Sequence, residues 1–222
     1  MNLLNKKFQN IFVDRNNLYT QSIDKNSFFG EKVKVENGIN YREWDPKRSK
    51  LAAGLMKGLS QIGFRPGSIV LYLGASHGYT PSFVSDIVGR SGFVFAIDFA
   101  PTVVRDLVMI AEQRKNIAPI LANCNFPEEY KDLVVPADIV YQDIAQKNQV
   151  QIFLRNCDAY LKNGGFGLLA LKSRSIDVTQ DPRDIYNKVR TELEKHPSIV
   201  IVDYKTLDPF EKDHAMFVVK KK

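Results

Sequence analysis

Two hydrophobic rhythms divide the chain. Lys32-Val33-Lys34-Val35-Glu36 alternates apolar and polar positions, Asn37-Gly38 interrupts, and Ile39-Asn40-Tyr41-Arg42-Glu43 alternates again. An Asn-Gly pair between two alternating runs predicts a β-hairpin. Phe8 to Val13 and Leu18 to Ser22 are further strand candidates. Residues 1–46 therefore read as a small β-rich domain and residues 47–222 as the main domain, with Asp45-Pro46 at the junction and Pro46 near the first helical position.

From Lys47 the period lengthens. Leu51, Leu55, Met56, Leu59 and Ile62 recur at helical spacing, and Gly63 is the expected stop. Strand-like and helix-like segments then alternate. Ile69 to Leu73, Phe93 to Ile97, Pro119 to Leu121, Ala137 to Tyr141 and Phe166 to Lys172 read as strands. The segments between them read as helices: one opened by Thr80-Pro81 as N-cap and first residue and ending near Gly89, one over Pro101 to Arg114, and one over Val150 to Leu161 stopped by Asn163-Gly164. Pro182 to Lys195 reads as a last helix, followed by strands at Ile199 to Tyr204 and Ala215 to Val219. Alternation of this kind predicts an α/β fold with a mostly parallel sheet covered on both faces, and two closing strands without a helix between them should pair antiparallel. Ligands in such sheets sit beyond the carboxyl ends of the strands. Gly74, Asp98, Asn123, Asp143 and Lys172 all fall at or just after a predicted strand end and should line one edge.

The turn after the first main-domain strand, Gly74-Ala75-Ser76-His77-Gly78, allows close approach of backbone to a ligand, and Asp98 after the next strand has two oxygens for a ribose diol. The Gly-x-Gly-x-x-Gly fingerprint that seats a dinucleotide pyrophosphate is absent. With the antiparallel closing pair, this favours a sheet of the S-adenosylmethionine-dependent methyltransferase type over an NAD oxidoreductase. A metal-dependent small-molecule O-methyltransferase is disfavoured as well, because no acid cluster stands near Asp143.

Composition changes the picture little. At 222 residues, 44% hydrophobic and 25% charged, the chain has the make-up of an ordinary globular protein. Its net charge of +6 suits an acidic partner such as RNA without demanding one. Cys124 and Cys157 are too few for a disulfide framework or a cysteine zinc site, and the three histidines show no metal spacing, so no metal is expected. Phe166 to Leu171, among the longest apolar runs, is too short to span a bilayer, and the first residues lack a secretory pattern.

Several segments together resemble fibrillarin. They are Tyr41-Arg42-Glu43-Trp44 leading to Arg48-Ser49-Lys50-Leu51-Ala52, then Ser85-Asp86-Ile87-Val88-Gly89, Phe99-Ala100-Pro101, Arg105-Asp106-Leu107, Asp143-Ile144-Ala145-Gln146, Lys172-Ser173-Arg174-Ser175-Ile176-Asp177 and Asp213-His214-Ala215. The match runs in order from about Val33 to Val219, without the Gly/Arg-rich extension of eukaryotic members, and so resembles the archaeal type. The resemblance implies a class I methyltransferase, Rossmann-like, with a seven-stranded sheet beside a small N-terminal β domain. It implies S-adenosyl-L-methionine as donor and an RNA ribose 2′-hydroxyl as acceptor in pre-rRNA and tRNA. The setting it implies is a cytoplasmic box C/D ribonucleoprotein (nucleolar in eukaryotes) with guide RNA, a coiled-coil scaffold protein and a kink-turn-binding protein. An RNP subunit that keeps the fold but has weak or lost cofactor binding is the alternative.

The positions matching the family's cofactor contacts are Gly74, Tyr79, Thr80, Asp98, Phe99, Asn123, Cys124, Asp143, Ile144, Ala145 and Gln146; those matching its catalytic set are Lys50, Asp143, Lys172 and His214. The pattern departs at four places. Tyr79 stands where a second threonine is usual, Asp98 for Glu, Asn123-Cys124 for Asp-Ala, and His77 for a small residue. Asn123 keeps a carbonyl oxygen for the adenine amino group but lacks the charge. Two neighbouring ammonium groups disfavour double charging, so Lys172, or Lys50, is expected to approach neutrality and take the ribose proton. Asp143 is expected to orient a lysine and balance the sulfonium, and His214 to position.

Overall fold

In the computed structural model, which describes residues 1–222, the first 44 residues form a five-stranded antiparallel sheet: β1 (Asn2–Leu3), β2 (Ile11–Asp14), β3 (Asn17–Gln21), β4 (Val33–Glu36) and β5 (Ile39–Trp44), in the order β1-β2-β3-β5-β4. The Asn37-Gly38 hairpin sets Glu36 opposite Ile39, as the alternation implies. The main sheet takes β6 (Ile69–Leu73), β7 (Phe93–Asp98), β8 (Ile117–Leu121), β9 (Ala137–Gln142), β10 (Leu161–Lys172), β11 (Ile199–Thr206) and β12 (His214–Lys221) in the order β11-β12-β10-β9-β6-β7-β8. Strands β6 to β10 run parallel and β12 lies antiparallel between β10 and β11. This is the class I methyltransferase sheet. Helices α1 (Lys50–Met56), α2 (Tyr79–Val88), α3 (Pro101–Gln113), α4 (Gln149–Tyr160), the single turn α5 (Ser173–Ile176) and α6 (Pro182–Lys195) complete the chain.

Strand β6 is apolar throughout because both its faces are covered. Its side chains alternate: Val70 and Tyr72 join a core of 30 buried residues that includes Leu18, Trp44, Phe83 and Leu107. Leu71 and Leu73 join a second core of 25 residues with Phe153, Val189 and Phe217. Helix α6 follows its sequence signals closely, with Asp181 capping the Arg183 N–H, Pro182 in the first turn, and Ile185, Tyr186, Val189 and Leu193 buried on one stripe.

The start of the main domain differs from the sequence reading in three ways. Helix α1 is opened by Ser49, whose hydroxyl accepts from the Ala52 N–H, and not near Pro46. It ends at Met56, well before Gly63. Gly58 adopts φ +84°, and the N–H groups of Gly58 and Leu59 return to the carbonyls of Leu55 and Gly54 in a Schellman closure. Leu59 and Ile62 stay buried without being helical. Helix α2 begins at Tyr79 behind Gly78, so Thr80 lies inside the first turn instead of capping it.

The small sheet is locked to α2 by buried charge. Asp86 of α2 is fully buried and receives the Arg42 guanidinium at 2.8 Å, the Arg114 guanidinium, the Thr20 hydroxyl at 2.8 Å and the Ile23 N–H at 3.1 Å. Arg42 also donates to Glu31 at 2.6 Å and to the Ser82 hydroxyl at 3.0 Å, and its guanidinium stacks on Phe83. Every lone pair of the carboxylate has a donor, which is the condition for keeping such a charge out of water.

Removing one partner strands the others. Asp86→Ala should cost about 3–5 kcal/mol and lower the Tm by about 10 °C, read by urea titration and calorimetry. Glu31 gives a pH signature. Although burial acts to raise its pKa, the Arg42 charge and hydrogen bonds win and hold the carboxyl down from 4.5 to about 2. Its contribution is complete above 4.5 and is lost as the pH falls toward about 2. Glu31→Gln should therefore be less stable than the parent at neutral pH, with the gap closing across that window in urea midpoints.

Candidate active site

The strand order reverses at β6, which pairs β7 on one side and β9 on the other. The crevice at the carboxyl ends of β6 and β9 is thus a topological switch point. Gly74, with φ +82°, closes its floor: an added Cβ would stand 2.2 Å from the Asp143 carbonyl oxygen. The glycine is required by the approach of one chain segment to another, and it also lines the cavities that open beside it.

Two cavities meet here. One, of about 300 Å³, is lined by Gly74, Ser76, Asp98, Phe99, Asn123, Cys124, Asp143, Ile144, Ala145 and Gln146. Both Asp98 oxygens are anchored, Oδ2 accepting from the Ser76 N–H at 2.8 Å and Oδ1 from the Ala100 N–H at 3.1 Å. Each oxygen keeps a lone pair for a hydroxyl. Phe99 is 67% exposed beside it, an open aromatic face for a planar ring. Cys124 is buried, and desolvation pushes its thiol up to about 12, so it packs without reacting.

Asn123 differs from expectation. Its Oδ1 already accepts from the Asn125 backbone N–H at 3.0 Å and from the Asn125 side chain at 3.2 Å. The acceptor expected for an exocyclic amine is therefore engaged within the loop. Asn125 also donates to Gln146 Oε1 at 3.0 Å and accepts from Asn148 and Arg155. It organises this end of the cavity, and nothing in its sequence context announced that.

The second cavity, of about 750 Å³, shares Gly74, Ser76 and Asp143 with the first and extends over Lys50, Tyr72, Thr80, Arg48, Phe29 and Met109. The Tyr79 ring turns toward the small sheet. It packs edge-on to Phe29 and Phe83, lies under the Arg48 guanidinium at 4.2 Å, and its hydroxyl accepts from the Asp45 N–H at 3.3 Å. Tyr79 also lines the larger cavity. Thr80 donates its hydroxyl to Ser49 at 3.0 Å, tying the first turns of α1 and α2 together. His77 is held aside, donating through Nδ1 to Asp106 at 2.9 Å, and over half its side chain is exposed. Neither His77 nor Tyr79 blocks the crevice.

The ionisable groups gather at the junction. Lys50, the first residue of α1, places Nζ 3.0 Å from Asp143 Oδ2. Burial presses its pKa down, but the Asp143 charge and hydrogen bond together with the Glu211 charge leave it raised. Of the two lysines expected to offer a base, Lys50 is therefore the one held protonated. Lys172 ends β10 directly opposite His214 on β12. His214 donates through Nδ1 to the Lys212 carbonyl at 2.7 Å, since a carbonyl can only accept, and this leaves Nε2 bare. Its pKa is lowered, first by burial and then by the charges of Lys50 and Lys172, against the raising effects of the Lys212 carbonyl and Asp143.

Sequence reading missed Glu211. This carboxyl, in the turn before His214, has a pKa raised by burial and by Asp143 and held back by Lys50 and Lys172. It completes a cluster of two lysines, two carboxyls and an imidazole whose pKa is lowered. An acid in a turn three residues before a strand reads as solvated, so no local signal marks it.

The fibrillarin family model matches residues 4–222. A fibrillarin-like rRNA/tRNA 2′-O-methyltransferase of Pyrococcus horikoshii is 48% identical over 193 residues, 87% of this chain and 84% of that protein. Among solved structures, Aeropyrum pernix fibrillarin in complex with natively bound S-adenosyl-L-methionine is 42% identical, with a TM-score of 0.84 over 91% of this chain and 88% of that one. The fibrillarin chain of a fibrillarin/Nop5p complex is 36% identical, with a TM-score of 0.88 over 96% and 98%.

The Lys50 ion pair yields a test. Asp143→Asn leaves burial as the dominant influence and should bring the Lys50 pKa below the ordinary lysine value. ¹³C-dimethyl-lysine NMR titration would register this as a midpoint at lower pH in the variant; an unmoved midpoint would show that Asp143 does not hold the proton there.

Proposed function

The chain belongs to the fibrillarin family, and from that premise we propose how its residues divide the work of an S-adenosylmethionine-dependent RNA ribose 2′-O-methyltransferase, the catalytic subunit of a ribonucleoprotein. The reading is carried by one observation: Asp143 lines both cavities and is ion-paired to Lys50 where they meet. The two cavities serve a donor and an acceptor, and the charged cluster lies at their contact.

The residues present fit the donor. Asp98 retains free lone pairs for a ribose diol, Phe99 offers a stacking face, and Ile144 to Gln146 close the far wall. The Tyr79 and Thr80 backbone N–H groups at the uncapped start of α2 suit a carboxylate. When bound, S-adenosyl-L-methionine supplies a methyl group on a positively charged sulfur, so no metal or redox partner is needed for activation.

The chain's own task is to orient the acceptor hydroxyl and to receive its proton. Lys172 is the proposed base. Lys50 is committed to Asp143, whereas Lys172 has no carboxylate partner within ion-pair distance and faces the cluster from β10. Asp143 fixes Lys50 and sets a negative charge beside the donor cavity. His214, neutral and tied to Lys212, positions the acceptor through its bare Nε2.

A scaffold protein of the Nop5p kind is the partner of a related fibrillarin chain, and this chain docks to such a scaffold. We further assign it a box C/D guide RNA, a kink-turn-binding protein, pre-rRNA and tRNA targets, and a cytoplasmic setting. The mild charge of +6 accords with leaving target selection to guide pairing. No helix is long and apolar enough to cross a membrane.

Reconstitution with guide RNA and both partner proteins, followed by mapping of methylated riboses, should give methylation at the guide-paired nucleotide. Absence of methylation together with no calorimetric heat on adding donor would leave only the structural-subunit reading. Lys172→Ala should lower kcat by about 10²- to 10⁴-fold, the range of a lost general base, while donor Kd by calorimetry stays within a few-fold. Asn123→Asp restores a charged acceptor that serves Asn125 and an adenine amine at once. It should tighten donor Kd by about three- to tenfold, the value of charge assistance to a hydrogen bond; weaker binding would place the adenine elsewhere.

A further inference from the structure

Strand β9 stops pairing with β10 at Gln142, opposite Leu169. Strand β10 continues to Lys172, supported beyond that point only by β12 on its other side. The Lys172 backbone would thus present an unpaired N–H and C=O toward the crevice. Both are taken by one side chain. Gln149 Oε1 accepts from the Lys172 N–H at 3.1 Å, and Gln149 Nε2 donates to the Lys172 carbonyl at 3.1 Å. The second Nε2 hydrogen goes to the Gln146 carbonyl at 3.0 Å. The Gln149 carbonyl in turn accepts from Gln142 Nε2, the last residue of β9, at 2.6 Å. Gln149 is fully buried, so water does not compete for any of these bonds.

We propose that Gln149 is a positioning residue for methyl transfer: its amide stands in for the missing neighbour strand, fixes the backbone of Lys172, and fastens it to the Gln146 end of the donor cavity. The proposal rests on the reading of Lys172 as the base. A lysine ammonium sits on a flexible four-carbon stem, so its reach is only as well defined as the Cα that carries it. Holding that Cα at two points, against a loop that lines the donor cavity, sets the distance between proton acceptor and reacting oxygen. A misplacement of about 1 Å costs on the order of a hundredfold in rate. A merely structural role would lower stability and leave turnover per folded molecule intact.

The test uses the full chain in the reconstituted particle, below the melting temperature of each variant, with labelled methyl incorporation as the readout. Gln149→Leu should lower kcat about 10- to 100-fold, while KM for target RNA and Kd for donor move by less than about threefold. In a Lys172→Ala background, adding Gln149→Leu should bring no further loss, because the two act as one unit. Gln149→Glu keeps the acceptor toward the Lys172 N–H but sets a carboxylate against two carbonyls. Its deficit relative to the parent should narrow as the pH is lowered and the carboxyl regains a proton to donate. An unchanged kcat in Gln149→Leu, additive losses in the double variant, or a pH-independent deficit in Gln149→Glu would each overturn the assignment. Failure of both variants to fold would do so too, by making Gln149 a folding residue. Full activity in Lys172→Ala would remove the choice of base and this proposal together. An inactive Lys172→Ala beside a fully active Gln149→Leu would remove this proposal alone.

Discussion

Asp86 is the constraint on which the rest of the architecture leans. A fully buried carboxylate is tolerable only when all its partners are present at once, and here they come from four separate places: Arg42 on β5, Arg114 after α3, Thr20 on β3 and the Ile23 N–H. The small sheet therefore cannot slide along α2 or tilt from it without exposing the charge to an uncompensated interior. The first turn of that same helix opens the crevice, and Tyr79 there is wedged between Phe29 and Phe83 under Arg48. A charge cluster away from the chemistry thus fixes the wall of the larger cavity. Trp44, stacked on Phe83 at 5.1 Å, adds apolar area to the same joint.

The site itself exists because strands of unequal reach end side by side. Strand β9 stops at Gln142 and turns at Asp143, while β10 runs on to Lys172. The shortfall opens a gap between two strand ends, and the chain fills its polar requirements with side chains rather than backbone. Asp143 fills one part, reaching Lys50 on α1; Gln149 fills another, reaching Lys172. Both lysines of the cluster are in this way held by residues of the one stretch that runs from Asp143 to the first residue of α4. That segment also lines the donor cavity through Ile144, Ala145 and Gln146. In the proposed assignment, donor binding and proton acceptance share one short stretch of backbone.

Much of this was legible in the sequence, because the strongest signals were local. The continuous apolar run of Ile69 to Leu73 can only be a strand covered on both faces, and Pro182 behind Asp181 can only start a helix cleanly. The strand ends carrying Asp98, Asp143 and Lys172 followed from those elements. What could not be read was decided by tertiary contact. Gly58 and Gly63 are equally good helix stops on paper; the return of the Gly58 and Leu59 N–H groups to Leu55 and Gly54 decided between them. Thr80-Pro81 carried a proper capping signal, yet Thr80 donates to Ser49 and the helix starts earlier. Gln149, Asn125 and Glu211 belong to residue types that usually face water, and only burial reveals their roles. The family likeness named Lys50 and Lys172 together, and of the two only Lys50 is ion-paired to Asp143.

That separation follows from charge balance. Lys50 and Lys172 face Asp143 and Glu211, while burial and the two lysines lower the His214 pKa. A cationic donor bound beside Asp143 would add positive charge to this set. Coulomb repulsion in a site of intermediate dielectric amounts to several kcal/mol at contact distances, and it weighs most on the lysine that has no carboxylate partner. Lys50 is protected by direct contact with Asp143 at 3.0 Å. Lys172 has no such contact, and its backbone is held by neutral amide bonds that contribute no charge. In the proposed assignment the base is therefore the residue whose position is fixed most independently of its charge. A base can lose and regain a proton without its scaffold moving only when it is anchored through its backbone, and the hydrogen bonds around Lys172 meet that condition.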